Sequence, residues 1–191
     1  MLPSLRTSHS LRAIAIGLIA VAAAACGSSS TNNAKAAGPT TTTYPAVIKV
    51  GPDPSVSSKM VCGTDGQAVI AAALNETPTK VTTPTWANDV YSCTYVYKAG
   101  TMSISVKELT TRAATTAYFN SLKQQYGVKE SFELAQGAFV SPHGVAVTRK
   151  DYKVLTVDPT KLPAKFGEPP TTLDNVSVQS AVALMGCWTG A

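Results

Sequence analysis

Three cysteines, Cys62, Cys93 and Cys187, lie in the part of the chain that can fold, and a fourth, Cys26, precedes it. Thiols can bind metal, act as nucleophiles or bridge. Three widely spaced cysteines and one histidine, His143 in Ser-Pro-His-Gly, do not make a zinc constellation, so no metal is expected. A thiol nucleophile needs a base within hydrogen-bond reach, and His143, in a turn sequence, is the only imidazole after His9. Bridging is the chemistry left. Three pairings stay open: Cys62–Cys93, Cys62–Cys187 and Cys93–Cys187. The first would close a loop of about 30 residues, contributing on the order of 3 kcal/mol. The carboxylates Glu76, Asp89, Glu108 and Asp151 fall on different elements, so no close pair suited to glycoside hydrolysis stands out. No Ser-His-Asp order and no Gly-rich phosphate loop is present. Arg149-Lys150-Asp151 reads as a charged hairpin turn, and Trp86 and Trp188 read as caps on the core. No catalytic residue and no cofactor is expected, and the ligand-binding residues are unknown.

Cys26 stands at a seam. Arg6 and Arg12 are followed by Ala13–Ala25, an apolar run without a charge. That run is shorter than the roughly 20 residues a membrane-spanning helix takes, and its basic start and small-residue end have the anatomy of a secretory signal peptide. Ala23-Ala24-Ala25-Cys26 resembles a bacterial lipobox, with alanine where leucine usually stands three residues before the cysteine. The resemblance implies a diacylglyceryl group on Cys26, cleavage just before it, and lipid attachment to the extracytoplasmic face of the cell membrane. Gly27–Thr43 is Ser, Thr, Asn, Ala, Gly and Pro with one lysine, too polar to offset the entropy of ordering. It predicts a flexible tether reaching roughly 20–25 Å. The expected organisation is a signal peptide over 1–25, a tether over 26–46 and one globular domain over 47–191.

Charge excludes some partners. The chain holds 16 basic and 11 acidic residues, with no basic run longer than Arg149-Lys150, so nothing suggests nucleic acid. The partners expected are the membrane, through lipid on Cys26, and an envelope protein, glycan or hydrophobic ligand.

The elements that must position these residues alternate in period. Val-Cys-Gly-Thr-Asp-Gly-Gln predicts a helix over about 65–74, with a capping box between Thr64 and Gln67 and Val69, Ala72 and Ala73 on one face. Thr77–Trp86 is turn-rich. Residues 89–108 predict a β-hairpin turning at Lys98-Ala99-Gly100, with Tyr91, Cys93 and Tyr95 on one face. A helix follows, its stripe Ala114, Tyr118, Leu122 and Tyr126, stopped by Gly127. Residues 137–158 predict a three-stranded meander with turns at Pro142–Gly144 and Arg149–Asp151. Residues 159–170 read as irregular. Leu173, Val176, Ser180, Leu184 and Trp188 mark the buried face of a last helix. The order α-ββ-α-βββ-α predicts an α+β fold, helices packed on an antiparallel sheet.

At "VCGTDGQAVIAAAL", "YSCTYVY", "AYFNSLK", "GAFVSPHGVAVTRKDYKVLTVD" and "GCWTG" the chain resembles uncharacterised envelope lipoproteins of actinobacteria, of mycobacterial or streptomycete type, over nearly all of residues 60–190. More loosely, the alternation of elements is similar to PsbP-like folds and to the extracellular sensor domains of actinobacterial kinases. In small lipoproteins of this layout a helix-start cysteine pairs with one in the first long strand. The resemblance therefore implies a Cys62–Cys93 disulfide and leaves Cys187 as a buried free thiol. It supplies no catalytic residue. The expectation is a non-enzymatic binding or accessory module, with a carrier of a lipid or other hydrophobic ligand, or an envelope-polymer hydrolase, as alternatives.

Overall fold

A computed structural model describes residues 45–188. Its centre is one antiparallel sheet. After the short helix α1 (Val56–Met60) and helix α2 (Thr64–Leu74) come β1 (Lys80–Val81), β2 (Thr85–Ala87), β3 (Val90–Tyr97) and β4 (Gly100–Glu108). Helix α3 (Arg112–Tyr126) leads to β5 (Glu130–Phe132), β6 (Ala138–Val140), β7 (Ala146–Lys150) and β8 (Lys153–Lys161). A small ribbon, β9 (Lys165–Phe166) and β10 (Thr171–Thr172), precedes helix α4 (Leu173–Cys187). The strands lie in the order β1-β3-β4-β8-β7-β6-β5, with β2 also on β3. The α+β class and the main order of elements agree with the sequence reading.

Hairpin and meander join because β4 and β8 pair over most of their length, from Thr101↔Lys161 to Glu108↔Lys153. The period-two pattern gives each face its own core. Cys93, Tyr95, Met102, Ile104, Val106, Leu155 and Val157 face α2 and α4, which add Ile70, Leu74, Val176, Ala181, Leu184 and Trp188. Val147, Val154 and Phe139 point to the other face, where Phe119 and Leu122 of α3 cover them. The last helix is thus packed as its stripe predicts, with Trp188 4% exposed.

Several local expectations need correction. No capping box forms at Thr64: Gly63 is the N-cap, without a side-chain bond, and Gln67 Nε2 donates to Cys62 O at 2.9 Å. The buried face of α2 is Gly66, Ile70 and Leu74, one turn-step away from the Val69-Ala72-Ala73 face. Gly66 decides this, because a Cβ there would stand 2.3 Å from Met60 O, so only glycine lets α2 close onto α1. The stripe of α3 is likewise rotated: Thr115, Phe119 and Leu122 are buried, while Ala114, Tyr118 and Tyr126 are half-buried. Strands β1 and β2 occupy the segment read as turns, because their backbones complete the open edge of β3.

Candidate functional site

The described residues hold two groups of polar side chains, at opposite ends of the long strands. The first lies where the chain enters the fold. Pro45–Ser55 runs as a strap across that end of the sheet. Tyr152 Oη donates to Pro45 O, Ile48 N–H to Thr110 O at 2.8 Å, and Trp86 Nε1 to Pro52 O at 2.8 Å. Ser55 N–H then donates to Glu108 Oε1 at 2.8 Å, and Ser58 Oγ donates to the same oxygen at 2.5 Å. Glu108 is 4% exposed, although it ends a strand whose inward positions are otherwise Met102, Ile104 and Val106.

Lys153 stands opposite Glu108 and is 1% exposed. Burial pushes its ammonium below the ordinary lysine range; Glu108 and Asp151 pull it back, and Lys150 adds to the push. Among the described residues Lys153 forms no direct ion pair, so that attraction acts across a gap. Asp151, in the β7–β8 turn with φ 55°, is also buried. Its N–H donates to Gln136 Oε1 at 2.8 Å, its Oδ1 accepts from Gln136 Nε2 at 3.2 Å, and its Oδ2 has no hydrogen-bond partner. The carboxylates of Glu108 and Asp151, read from sequence as scattered, therefore flank one lysine. The arrangement is a sealed clamp. Ser58, with no exposed surface, cannot meet a substrate where it stands, so its short bond to Glu108 fastens the strap.

The second group surrounds an open cleft of about 430 Å³ lined by Pro142, His143, Thr160, Ala164, Leu173 and Asp174. His143 is exposed there. Asp174 is held by Lys129, and Thr160 Oγ1 donates to Asp158 Oδ1 at 2.6 Å. Neither contact gives His143 an acid to orient it or a nucleophile to activate.

Cys62 and Cys93 are joined, with Cα atoms 6.0 Å apart, and both are buried. The pairing that the resemblance implies, between helix start and first long strand, is present. The free thiol expected at Cys187 is corrected. Cys187 is disulfide-bonded, and no free cysteine occurs among the described residues. The physical reason is position: the last turn of α4 leaves Cys187 half-buried, not enclosed in the core. Cys26 lies outside the described residues, as do the expected signal peptide and most of the expected tether. The turn expected at Arg149–Asp151 is shifted: Arg149 and Lys150 end β7, where they pair with Val154 and Lys153, and Asp151-Tyr152 make the turn. Each of the three is engaged: Arg149 with Thr116 and Gln136 O, Lys150 with Trp188 O at 3.0 Å, and Asp151 with Gln136. Among the described residues no group of three or more His, Cys, Asp or Glu side chains could hold a metal ion, and no helix is long and apolar enough to cross a membrane.

Alternation carried the missed signal. Glu108 continues the inward series 102, 104, 106, and Lys153 begins the inward series 155, 157. Two opposite charges at inward positions of neighbouring strands mark a buried pair. Comparison of the chain with protein-family profiles, with curated proteins and with solved structures finds no match.

Proposed function

We propose that the protein is a lipid-anchored, non-enzymatic binding or accessory module on the extracytoplasmic face of the cell membrane, attached through Cys26 and of the actinobacterial envelope-lipoprotein type that its motifs resemble. The observation that carries this reading is the strap. The first described residues, from Pro45, are pinned to one end of the sheet by Tyr152, Thr110, Trp86 and Glu108. Attachment at Cys26 would hold the domain from that end. Val47 and Val56 support it: 64% and 81% exposed, they sit on the strap end, where a nearby bilayer would tolerate them. The groups most suited to catalysis by type, Ser58, Glu108, Lys153 and Asp151, are all buried, which favours binding over hydrolysis.

A thiol can carry lipid or a disulfide, not both. A disulfide is the competing use of the Cys26 thiol. Mass spectrometry of the Cys26 peptide from the native envelope separates the two. The lipid reading predicts a chain beginning at Cys26 with a diacylglyceryl adduct, and loss of the Cys26→Ser variant from the membrane fraction. A Cys26 peptide joined by a disulfide to another peptide, or a Cys26→Ser variant that stays in the membrane fraction, contradicts it.

A further inference from the structure

We propose that the end of the sheet farthest from the strap is a docking stripe for a linear, phosphate-bearing polymer of the envelope. The proposal rests on the anchored reading for its orientation, and its chemistry is read from four lysines.

Strands β3 and β8 run from the strap end to this one, a span of roughly 25–30 Å at about 3.3 Å per residue. Lys98 follows Tyr97 in the β3–β4 turn, Lys80 of β1 pairs with Val96, and Lys161 pairs with Thr101. Lys165 adjoins Phe166, whose ring lies 4.7 Å from that of Tyr97. Gly100 draws the turn against β8, since a Cβ at its φ of +156° would stand 2.3 Å from Lys161 O. All four lysines are exposed. The structure gives none of them an ion pair or a side-chain hydrogen bond.

That is unusual within this molecule. Lys107 and Lys129 are in ion pairs, Lys123 and Arg149 lie over the Phe119 ring, Lys150 bonds Trp188 O, Lys153 is buried and Arg112 has a partner. The cationic side chains left uncommitted among the described residues are these four, with Lys49 and Lys59 at the strap end. The nearby acids do not cancel the stripe: Glu76 is half-buried beside Tyr97, Glu168 is exposed, and Asp158 Oδ1 is occupied by Thr160.

The spacing selects the ligand class. β1, β3, β4 and β8 are neighbours at about 4.8 Å, so the lysines are strung over some 15 Å and converge on no single point. One phosphate could not engage them together, whereas a chain with repeated anions could. The aromatic rings at this end, Tyr97 and Phe166, are 3% and 6% exposed, so no stacking surface for nucleic-acid bases is presented. Among the described residues no large apolar side chain is exposed at this end to enter a bilayer; the exposed large ones are Val47, Val56, Val128 and Val182.

The test titrates the mature chain with long-chain polyphosphate, at low and physiological salt. Parallel titrations use inorganic phosphate and vesicles rich in phosphatidylglycerol. The same is done for Lys80→Gln/Lys98→Gln/Lys161→Gln/Lys165→Gln and for a control, Lys49→Gln/Lys59→Gln/Lys123→Gln. The expected result is polyphosphate binding that weakens with salt, falls roughly ten-fold or more in the quadruple variant, and changes less than two-fold in the control. Absence of binding, equal loss in the control, or binding to vesicles or inorganic phosphate but not to polyphosphate would overturn the proposal. The Cys26→Ser chain binds equally on this view, so failure here is distinguishable from failure of the anchoring reading, which mass spectrometry tests.

Discussion

The two ends of the long strands treat charge in opposite ways. At the strap end, Glu108, Asp151 and Lys153 are enclosed, and Glu108 gathers two donors from residues 55 and 58. At the far end, Lys80, Lys98, Lys161 and Lys165 stand in solvent without partners. Buried charge is costly unless it is bonded, and breaking one side of such a pair is far more damaging than removing a surface charge. The contrast teaches that charged residues of the same types are structural at one end and available at the other. Composition cannot separate these roles; register and strap placement can.

The sharpest way to break the comparison is Glu108→Ala. It orphans Ser58 Oγ and Ser55 N–H and leaves Lys153 buried without the carboxylate that favours its charged form most. The expected loss is about 3–5 kcal/mol, read by urea unfolding of the mature chain. A loss below about 1 kcal/mol would mean that the clamp is not a clamp. Next comes the covalent tie at the same face: replacing Cys62 and Cys93 with alanine should cost roughly 3–4 kcal/mol, measured in the same way under non-reducing conditions.

A smaller effect sharpens the account through pH. The pKa of Lys153 is lowered in the fold, so between its folded value and 10.5 the unfolded chain binds more protons and stability rises with pH. Burial raises Tyr95 and Tyr97, so above pH 10 the unfolded chain loses protons that the fold retains, and stability falls. Unfolding followed across alkaline pH should show a rise and then a fall, and Lys153→Met should remove the rise alone. A parent curve that is flat below pH 10 contradicts the buried-lysine assignment. The smallest effect belongs to the far end. The Lys80, Lys98, Lys161 and Lys165 to Gln variant should unfold within about 0.5 kcal/mol of the parent for each position changed.

Legibility in the sequence follows the strength of local pattern. The hairpin, the meander and the last helix are long and strongly periodic, and they appear where the pattern puts them. The segment containing β1 and β2 was opaque, since strands of two and three residues exist because an edge of β3 needs partners, not because of their own residues. The faces of α2 and α3 were misassigned for a related reason. Gly66 and Phe119 choose the buried side through contacts distant in sequence, with Met60 O and with Phe139 at 5.4 Å. The clamp was legible in its strand residues, where alternation turns Glu108 and Lys153 inward, but not in Ser55 and Ser58, which arrive through the strap. The far-end lysines carry no sequence signal, because only the pairing of β1, β3, β4 and β8 gathers them.

What joins these observations is the strap as an integral part of the fold, pinned to one end of the sheet; on the proposed anchored reading, it is from this end that the domain is held. Amide hydrogen exchange of the mature chain tests it directly. The account predicts that Ile48, Ser55 and Leu109, whose N–H groups donate to Thr110 O, Glu108 and Tyr152 O, exchange with protection close to that of the sheet interior, while Lys98 and Ala99 exchange freely. Exchange of Ile48 and Ser55 at the rate of an unstructured peptide would contradict it, since a loose strap would neither seal Glu108 nor fix the end from which the domain is held.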